Sequence, residues 1–257
     1  MPQMKNSACR ALLTMVWAGF AIAQAQAACE TRNFPVAIDI GHTQEDPGAI
    51  SARGIPEFAF NLALGRDVER ALKQAGFPAR RIIVSGRGKE QLKRRVAAQR
   101  EMSPALVISI HHDSVQERYL SEWQFAGETR RYSDRFSGFS IFVSRANVRF
   151  EESLALASAL GRSLTAAGLK VSHHHAEPIK GEGRETLDAE AGVFEFRNLR
   201  VLKEAEVPAI LFEAGIILNR ADEIALASPV RRQLAAHAVV KAVTAMCQRQ
   251  SPEFVQR

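Results

Sequence analysis

Three polar side chains that could bind a metal ion or transfer a proton follow apolar segments, and a fourth precedes a helical pattern. His42 comes directly after "VAIDIG", His111 after "ALVISI", and Glu213 after "PAILF". Glu57 stands in "GIPEF", just before the long helical pattern. Two histidines and one carboxylate, with a fourth position open to water, are typical ligands of a catalytic zinc ion. A further carboxylate can then act as general base, so the four side chains are sufficient for metal-assisted hydrolysis.

Each of these residues also has an ordinary structural role open to it. His42 is compatible with a turn, and Glu57 with a first-turn carboxylate that the helix dipole favours. Glu213 is compatible with a buried ion pair, with Arg197 or Arg220 as its partner. Glu213 is the hardest to explain in this way, because a carboxylate directly after four apolar residues is costly to bury without compensation.

The segments around these residues alternate between strand and helix patterns. Short apolar runs such as "ALVISI" are separated by helical stripes, for example Phe60, Leu64 and Val68. This alternation predicts an α/β fold, a single domain with a central mostly parallel sheet flanked by helices. Ligands of such sheets bind beyond the carboxyl ends of the strands, so we expect the site at that edge.

The last helix of the chain has recognisable start signals. Ser228 and Pro229 are typical of an N-cap and a first helical turn. The spacing of Val230, Leu234 and Ala238 predicts that these three side chains face the core.

The chain resembles the zinc-dependent N-acetylmuramoyl-L-alanine amidases of the Amidase_3 family. Four segments match in the family's order: "DIGHTQEDPGAI", "GIPEFAFNLALG", "SIHHDS" and "VLKEAEVPAILFEAGIILNRADE". The resemblance implies an α/β fold, one zinc ion, and cleavage of the amide between N-acetylmuramic acid and L-alanine of the peptidoglycan stem peptide. Carried over position by position, it implies His42, Glu57 and His111 as zinc ligands. It implies Glu213 as the catalytic carboxylate.

The sequence departs from the family pattern at three places. Thr43-Gln44 stands where a pair of glycines is usual, and Phe58 stands where lysine is common. The segment "SIHHDS" also offers two histidines. We assign the ligand to His111 because it follows Ser-Ile, as the family ligand does, and because alternation along a strand points His112 to the other face.

Two connecting segments are not explained by this assignment. Residues 113–138 are long for a connection, and Trp123 and Phe125 within them are predicted to form a hydrophobic anchor, with a substrate groove as the alternative. The histidines of "SHHHAEP" are predicted to lie in a loop, with accessory metal binding as the alternative. Some members of the Amidase_3 family have a regulatory helix in this region. Whether residues 172–194 gate the site is left open.

The N-terminus has the pattern of a secretion signal. Lys5 and Arg10 precede an apolar run that ends in small residues, with Ala-x-Ala cleavage options. We predict a signal peptide over residues 1–28 and a zinc amidase catalytic domain over residues 29–257. The protein is therefore expected to be exported to the periplasm or cell envelope.

The cysteines are distributed in a way that fits export. Cys9 would leave with the signal, and Cys29 and Cys247 would remain. A pair of cysteines in an oxidising compartment predicts a Cys29–Cys247 disulfide, with lipidation of Cys29 as the alternative.

The composition limits the partners. The 257 residues are 46% hydrophobic and 24% charged, with a net charge of +6, and no Lys/Arg run is interleaved with aromatic residues. This argues against a nucleic-acid partner. The predicted partner is peptidoglycan, the predicted state is a monomer, and the need for a protein activator is left open. The alternative functions are another zinc-dependent peptidase or amidohydrolase on the same fold, and a non-catalytic cell-wall-binding regulator.

Overall fold

The computed structural model describes residues 29–250, which form fifteen helices and strands besides three short 3-10 turns. In chain order they are β1 (Val36–Ile40), α1 (Glu57–Gln74), β2 (Ala79–Ile82), α2 (Gly88–Met102), β3 (Leu106–Asp113), β4 (Ser121–Phe125), β5 (Glu128–Tyr132), β6 (Ser140–Val143), α3 (Phe150–Ala166), β7 (Thr186–Asp188), β8 (Val193–Glu195), α4 (Arg200–Lys203), β9 (Ala209–Ile216), α5 (Arg220–Ala227) and α6 (Pro229–Arg249). The predicted signal peptide lies outside the described residues. Within them, no helix is both long and apolar enough to cross a membrane.

Seven of the strands form one sheet in the order β2-β1-β3-β9-β6-β8-β7. The pairs β1–β2, β1–β3, β3–β9 and β6–β8 are parallel, whereas β6–β9 and β7–β8 are antiparallel. The predicted α/β domain with a mostly parallel central sheet is therefore confirmed. Because β1, β3 and β9 are parallel neighbours, their carboxyl ends meet at one edge of the sheet.

Helices cover both faces of this sheet. Alternate strand residues such as Ile38, Ile108 and Phe212 point to one face, where they pack with buried residues of α1, α3 and α6. The intervening residues, such as Ala37 and Val107, point to the other face and pack with α2 and α4. The strands at the centre are therefore buried on both sides, as their continuous apolar sequence predicts.

The predicted inward face of α6 is partly wrong. Ala238 is buried, but Val230 is 67% exposed and Leu234 is 38% exposed. In the first turns the inward positions are taken by Arg231 and Arg232, which donate hydrogen bonds to Ala214 O and to Asp67. Further along, the buried stripe consists mainly of small side chains, and this lets α6 pack closely against α1 and α3.

The predicted disulfide is confirmed, since Cys29 and Cys247 are bonded with their Cα atoms 5.5 Å apart. A cysteine in a disulfide cannot also hold a lipid thioether, so the lipidation alternative does not fit this structure. The bond joins the start of the described chain to the last turns of α6.

The segment 113–138 contains a separate two-stranded hairpin of β4 and β5. Trp123 stacks on Phe125 with ring centroids 5.2 Å apart, and its Nε1 donates to Ala52 O at 2.9 Å. The Arg53 guanidinium lies 5.3 Å from the Trp123 ring centroid. These contacts fasten the hairpin to the loop before α1, but they are a hydrogen bond and cation–π contacts. The hydrophobic role of Trp123 and Phe125 therefore stays a prediction, with the substrate groove as its alternative.

Candidate active site

Three of the four predicted site residues form a compact cluster at the carboxyl edge of the sheet. Glu57 Oε2 lies 3.0 Å from His42 Nε2, and Glu57 Oε1 lies 3.0 Å from His111 Nδ1. The three ligand atoms all lie within 4.8 Å of one another. Two imidazole nitrogens and one carboxylate oxygen form a donor set that suits zinc.

His42 is held in an uncommon backbone conformation. Its φ is +65°, in the left-handed region that non-glycine residues seldom occupy, and such residues often occur at functional sites. The following Thr43 is buried, and its Oγ1 donates to Gly86 O at 2.8 Å and accepts from Asp46 N at 2.9 Å. Thr43 therefore organises the loop in which the resembling family usually has a glycine.

Glu57 is the first residue of α1, and its carboxylate is held by several donors. Ala49 N and Asn61 Nδ2 each lie 3.2 Å from its carboxylate oxygens, in addition to the two histidines. Burial opposes its ionisation, but the hydrogen bonds from His111 and His42 hold the pKa of Glu57 well below its usual range. Glu57 is therefore ionised, as a metal ligand must be.

Gly48 leaves the space that this cluster needs. Its φ is +79°, and a Cβ added there would collide with Glu57 Oε2 and with the His42 ring. A larger residue at position 48 would thus displace two of the three candidate ligands. This close approach of the Gly48 backbone is a steric observation, separate from the types of the donor atoms, and it supports the same cluster.

His112 lies outside the cluster, as predicted. It is buried, and its Nδ1 lies 2.7 Å from Asn61 Oδ1. Its ring packs on Phe60 with centroids 5.5 Å apart. Burial lowers the pKa of His112 to about 3, so it is neutral near pH 7.

Glu213 lies beside the cluster without an ion-pair partner among the described residues. It pairs with His111 in the β3–β9 register, and its Oε2 is shielded from solvent without a hydrogen bond. Burial raises the pKa of Glu213 well above its usual range, and the Asp113 and Glu57 carboxylates add to this effect. Arg220, a partner that the sequence allowed, binds Asp134 instead.

Sequence reasoning missed a buried ion pair behind His111. Asp39 in the middle of β1 accepts two hydrogen bonds from Arg95, at 2.8 and 2.5 Å. Arg95 Nη2 also lies 2.9 Å from Ser109 Oγ and 3.3 Å from His111 Nε2. A charged residue inside the apolar run "VAIDI" was the available signal, because a buried carboxylate needs a partner.

A second cluster of ligand-type side chains was not predicted as a unit. Asp113 Oδ2 lies 2.8 Å from His175 Nε2 and 3.3 Å from His174 Nε2, and Glu182 Oε2 lies 2.9 Å from His175 Nδ1. Burial disfavours charge on His175, but the Asp113 and Glu182 carboxylates raise the pKa of His175 to about 9. The segment is a loop with a 3-10 turn at His174–Ala176, as predicted, but its contact with Asp113 could not be read from the sequence.

Comparisons with known proteins identify relatives of this chain. A family model described as N-acetylmuramoyl-L-alanine amidase matches residues 36–245. The probable N-acetylmuramoyl-L-alanine amidase AmiB of Haemophilus influenzae is 24% identical over 230 residues, covering 82% of this chain and 51% of AmiB. The chain thus spans about half the length of the curated relative it matches.

Solved structures show the same fold at low sequence identity. Ami1 from Mycobacterium smegmatis has a TM-score of 0.63 at 19% identity, covering 84% of this chain and 98% of Ami1. The CwlD amidase from Clostridioides difficile, solved in complex with the GerS lipoprotein, has a TM-score of 0.60 at 15% identity, covering 83% of this chain and 98% of CwlD.

Proposed function

Because the chain belongs to the N-acetylmuramoyl-L-alanine amidase family, we propose that it hydrolyses the amide between N-acetylmuramic acid and L-alanine of peptidoglycan. The observation that supports this proposal best is the His42–Glu57–His111 cluster with Glu213 beside it, at the edge where parallel sheets bind ligands. The alternatives of a different amidohydrolase substrate or a non-catalytic regulator are tested by the experiment below.

We propose that His42 Nε2, Glu57 and His111 Nδ1 hold one zinc ion. The ionised Glu57 carboxylate, the two nitrogens at 3.0 Å from it, and the space left by Gly48 all fit such an ion. When bound, zinc supplies Lewis-acid polarisation of the amide carbonyl and lowers the pKa of water at its open position.

Glu213 is the proposed general base. Its Oε2 has no hydrogen-bond partner among the described residues. The positive charge of a bound zinc ion would oppose the burial that raises the pKa of Glu213, so that the carboxylate could accept a proton from the attacking water. The same oxygen can then return the proton to the nitrogen of the leaving L-alanine amine. Strand pairing with His111 holds this carboxylate beside the metal ligands through both steps.

Arg95 is proposed as a positioning residue for His111. Both Arg95 and Asp39 are buried, and Arg95 Nη2 contacts the far side of the His111 ring at 3.3 Å. With Nδ1 as the ligand atom, His111 carries its proton on Nε2, and a guanidinium has no acceptor for it. Arg95 therefore limits the position of the ring by packing against its far side, not by a hydrogen bond to it. Arg95 is itself held in place, because it donates hydrogen bonds to Asp39 and Ser109.

The proposed location of the enzyme follows from its substrate, and the test for a protein partner follows from a similar structure. Peptidoglycan lies outside the cytoplasmic membrane, so we propose that residues 1–28 direct export and that the chain from residue 29 acts in the periplasm or cell envelope. The similar structure CwlD is a complex with a lipoprotein, so a protein partner of this chain is worth testing. The monomeric state remains a prediction, which light scattering of the purified protein can check.

The experiment that tests the function is digestion of purified sacculi followed by product analysis. The expected products are free stem peptides with an N-terminal L-alanine and glycan strands that keep an intact lactyl group. A chelator should abolish their release, and added zinc should restore it. Release of single amino acids or of disaccharides instead would show a different reaction. Absence of products both alone and with a soluble envelope extract would favour a non-catalytic regulator.

A further inference from the structure

The cluster around Asp113 shares no residue with the site assigned to the amidase reaction, and it has the composition of a metal site. Its three members, Asp113, His174 and His175, each offer one ligand atom, and these atoms all lie within 4.8 Å of one another. Both histidines point Nε2 at the same carboxylate oxygen, at 3.3 Å for His174 and 2.8 Å for His175. We propose that these three residues form a second divalent-metal site, separate from the His42–Glu57–His111 cluster.

The outer contacts of the two histidines are those that metal-ligating histidines usually make. His174 Nδ1 lies 2.9 Å from Ser172 Oγ, and His175 Nδ1 lies 2.9 Å from Glu182 Oε2. A ligating histidine commonly bonds a carboxylate or another polar group through its second nitrogen, which fixes the tautomer and the ring orientation. Here both rings have that support at Nδ1, and both have Nε2 directed at Asp113.

An unsatisfied buried nitrogen is the second, independent observation. His174 is only 3% exposed, yet its Nε2 makes no hydrogen bond of acceptable geometry although Asp113 Oδ2 is 3.3 Å away. Leaving a buried polar group unpaired destabilises the folded state, so such groups need an explanation. A metal ion between His174 Nε2 and Asp113 Oδ2 would satisfy both atoms.

The surroundings favour a borderline transition metal. Aromatic rings line the cluster, with Phe136 at 5.4 Å from the His174 ring and Phe142 at 4.7 Å from the His175 ring, measured between centroids. Both histidines are buried beside these rings. Two imidazole nitrogens and one carboxylate oxygen suit zinc and its neighbours such as Co²⁺, whereas Ca²⁺ and Mg²⁺ prefer all-oxygen ligands.

The competing explanation is a purely structural ion pair. A protonated His175 would then bridge Asp113 and Glu182, and His174 would only pack beside it. The two explanations differ in metal stoichiometry, which is measured without reference to catalysis. Failure of the proposed amidase activity would therefore leave the second-site proposal intact. Failure of the second-site proposal would likewise leave the proposed amidase activity intact.

The test is a metal titration of the mature chain, prepared without a polyhistidine tag and stripped with a chelator. Zn²⁺ binding is followed by calorimetry and by metal analysis after gel filtration, and Co²⁺ serves as a spectroscopic probe. The wild type should bind two equivalents. His42→Ala should bind one, His175→Gln should bind one, and the double variant should bind none. His173→Ala is the matched control, because His173 is the exposed neighbour that contributes nothing to the cluster, and it should keep two equivalents.

Folding of each variant is checked by circular dichroism, and Asp113→Asn provides a second, nearly isosteric removal of a ligand. Loss of one equivalent in a folded His175→Gln or Asp113→Asn variant supports the proposal. A single equivalent in the wild type that His42→Ala abolishes would overturn it. Two equivalents retained in both folded variants would also overturn it.

Discussion

Glu213 on β9 is the direct neighbour of His111 on β3 in the parallel register of the sheet. Adjacent strands lie about 4.8 Å apart, so the backbone itself sets the separation of the candidate base from a candidate ligand. Both residues follow apolar segments that are buried on both faces of the sheet. The relationship is therefore rigid, and it does not depend on loop conformation.

The first prediction concerns Glu213 as general base. Glu213→Gln preserves the shape of the side chain, so the fold and metal content should be retained while turnover on sacculi falls by roughly 10²- to 10⁴-fold. The matched control is Glu223→Gln, which alters a buried carboxylate that binds Arg53 and Ser51. That variant should lower the free energy of unfolding by about 1–3 kcal/mol and leave turnover of the folded protein unchanged. Near-normal turnover in a folded, metal-loaded Glu213→Gln protein would remove Glu213 from the mechanism.

The second prediction assigns the ligand to His111 and not to its neighbour. His42→Ala and His111→Ala should each lose the metal of the first cluster. His112→Ala should keep that metal but lose about 1–3 kcal/mol of stability, because buried Asn61 Oδ1 is left unpaired. Metal analysis and thermal unfolding of the three variants measure this directly. Loss of the metal in His112→Ala alone would show that His112, and not His111, is the ligand.

A third prediction uses the close approach of Gly48 to the cluster. Gly48→Ala should abolish or strongly weaken metal binding, because the added Cβ collides with Glu57 Oε2 and the His42 ring. Gly168→Ala is matched in backbone conformation, with φ of +84° against +79°, but nothing lies within 4 Å of its Cβ position. The control should therefore lose only about 1–2 kcal/mol of stability and keep the metal. Equal metal affinities for the two folded variants would contradict the proposal that Gly48 leaves the space that the metal ligands need.

The fourth prediction concerns the Cys29–Cys247 disulfide. Titration of the denatured, exported protein should find no free thiol until a reductant is added. Reduction, or a Cys247→Ser change, should lower the free energy of unfolding by about 2–5 kcal/mol, because the unfolded chain gains conformational freedom. Denaturant unfolding with and without reductant measures the difference. Two free thiols in the unreduced protein would exclude the bond.

The fifth prediction is a pH dependence that arises far from the metal cluster. Glu69 on α1 accepts hydrogen bonds from Lys73 at 2.8 Å and from Arg81 of β2 at 2.7 Å. Burial alone would raise the pKa of Glu69, but these two bonds lower it below its ordinary value of 4.5. Its stabilising contribution is therefore present above pH 4.5 and is lost as pH falls through the lowered value.

Glu69→Gln should accordingly reduce stability at pH 7 by up to about 1 kcal/mol. It should also flatten the loss of stability between neutral and acid pH, as measured by denaturant unfolding. Glu90→Gln is the control, because its pair with Arg94 is exposed and lies 3.3 Å apart on α2. The same acid slope in Glu69→Gln and wild type would contradict the assignment.

Three of the four candidate site residues could be located from the sequence because they are tied to strands, whereas the choice of Glu57 as a ligand came from the family resemblance. His42, His111 and Glu213 each follow a recognisable buried strand, and parallel strands bring such ends together. The local pattern and the tertiary contact agree at this edge of the sheet.

Other features depend on contacts that no local pattern encodes. The loop containing His174 and His175 reaches Asp113 only after the chain has passed through β6 and α3. The inward positions of α6 were misjudged because Arg231 is inward and hydrogen-bonded, which periodicity of apolar residues cannot detect. The periodicity of apolar residues does not indicate a buried charged residue whose partner is distant in the sequence.

The disulfide at the two ends of the described chain also has a mechanical consequence. Cys29 precedes the first strand and Cys247 lies near the end of the last helix, so the bond encloses the whole sheet in one covalent ring. A tension applied between residues 29 and 247 is therefore transmitted through the sulfur–sulfur bond and bypasses the hydrogen bonds between strands.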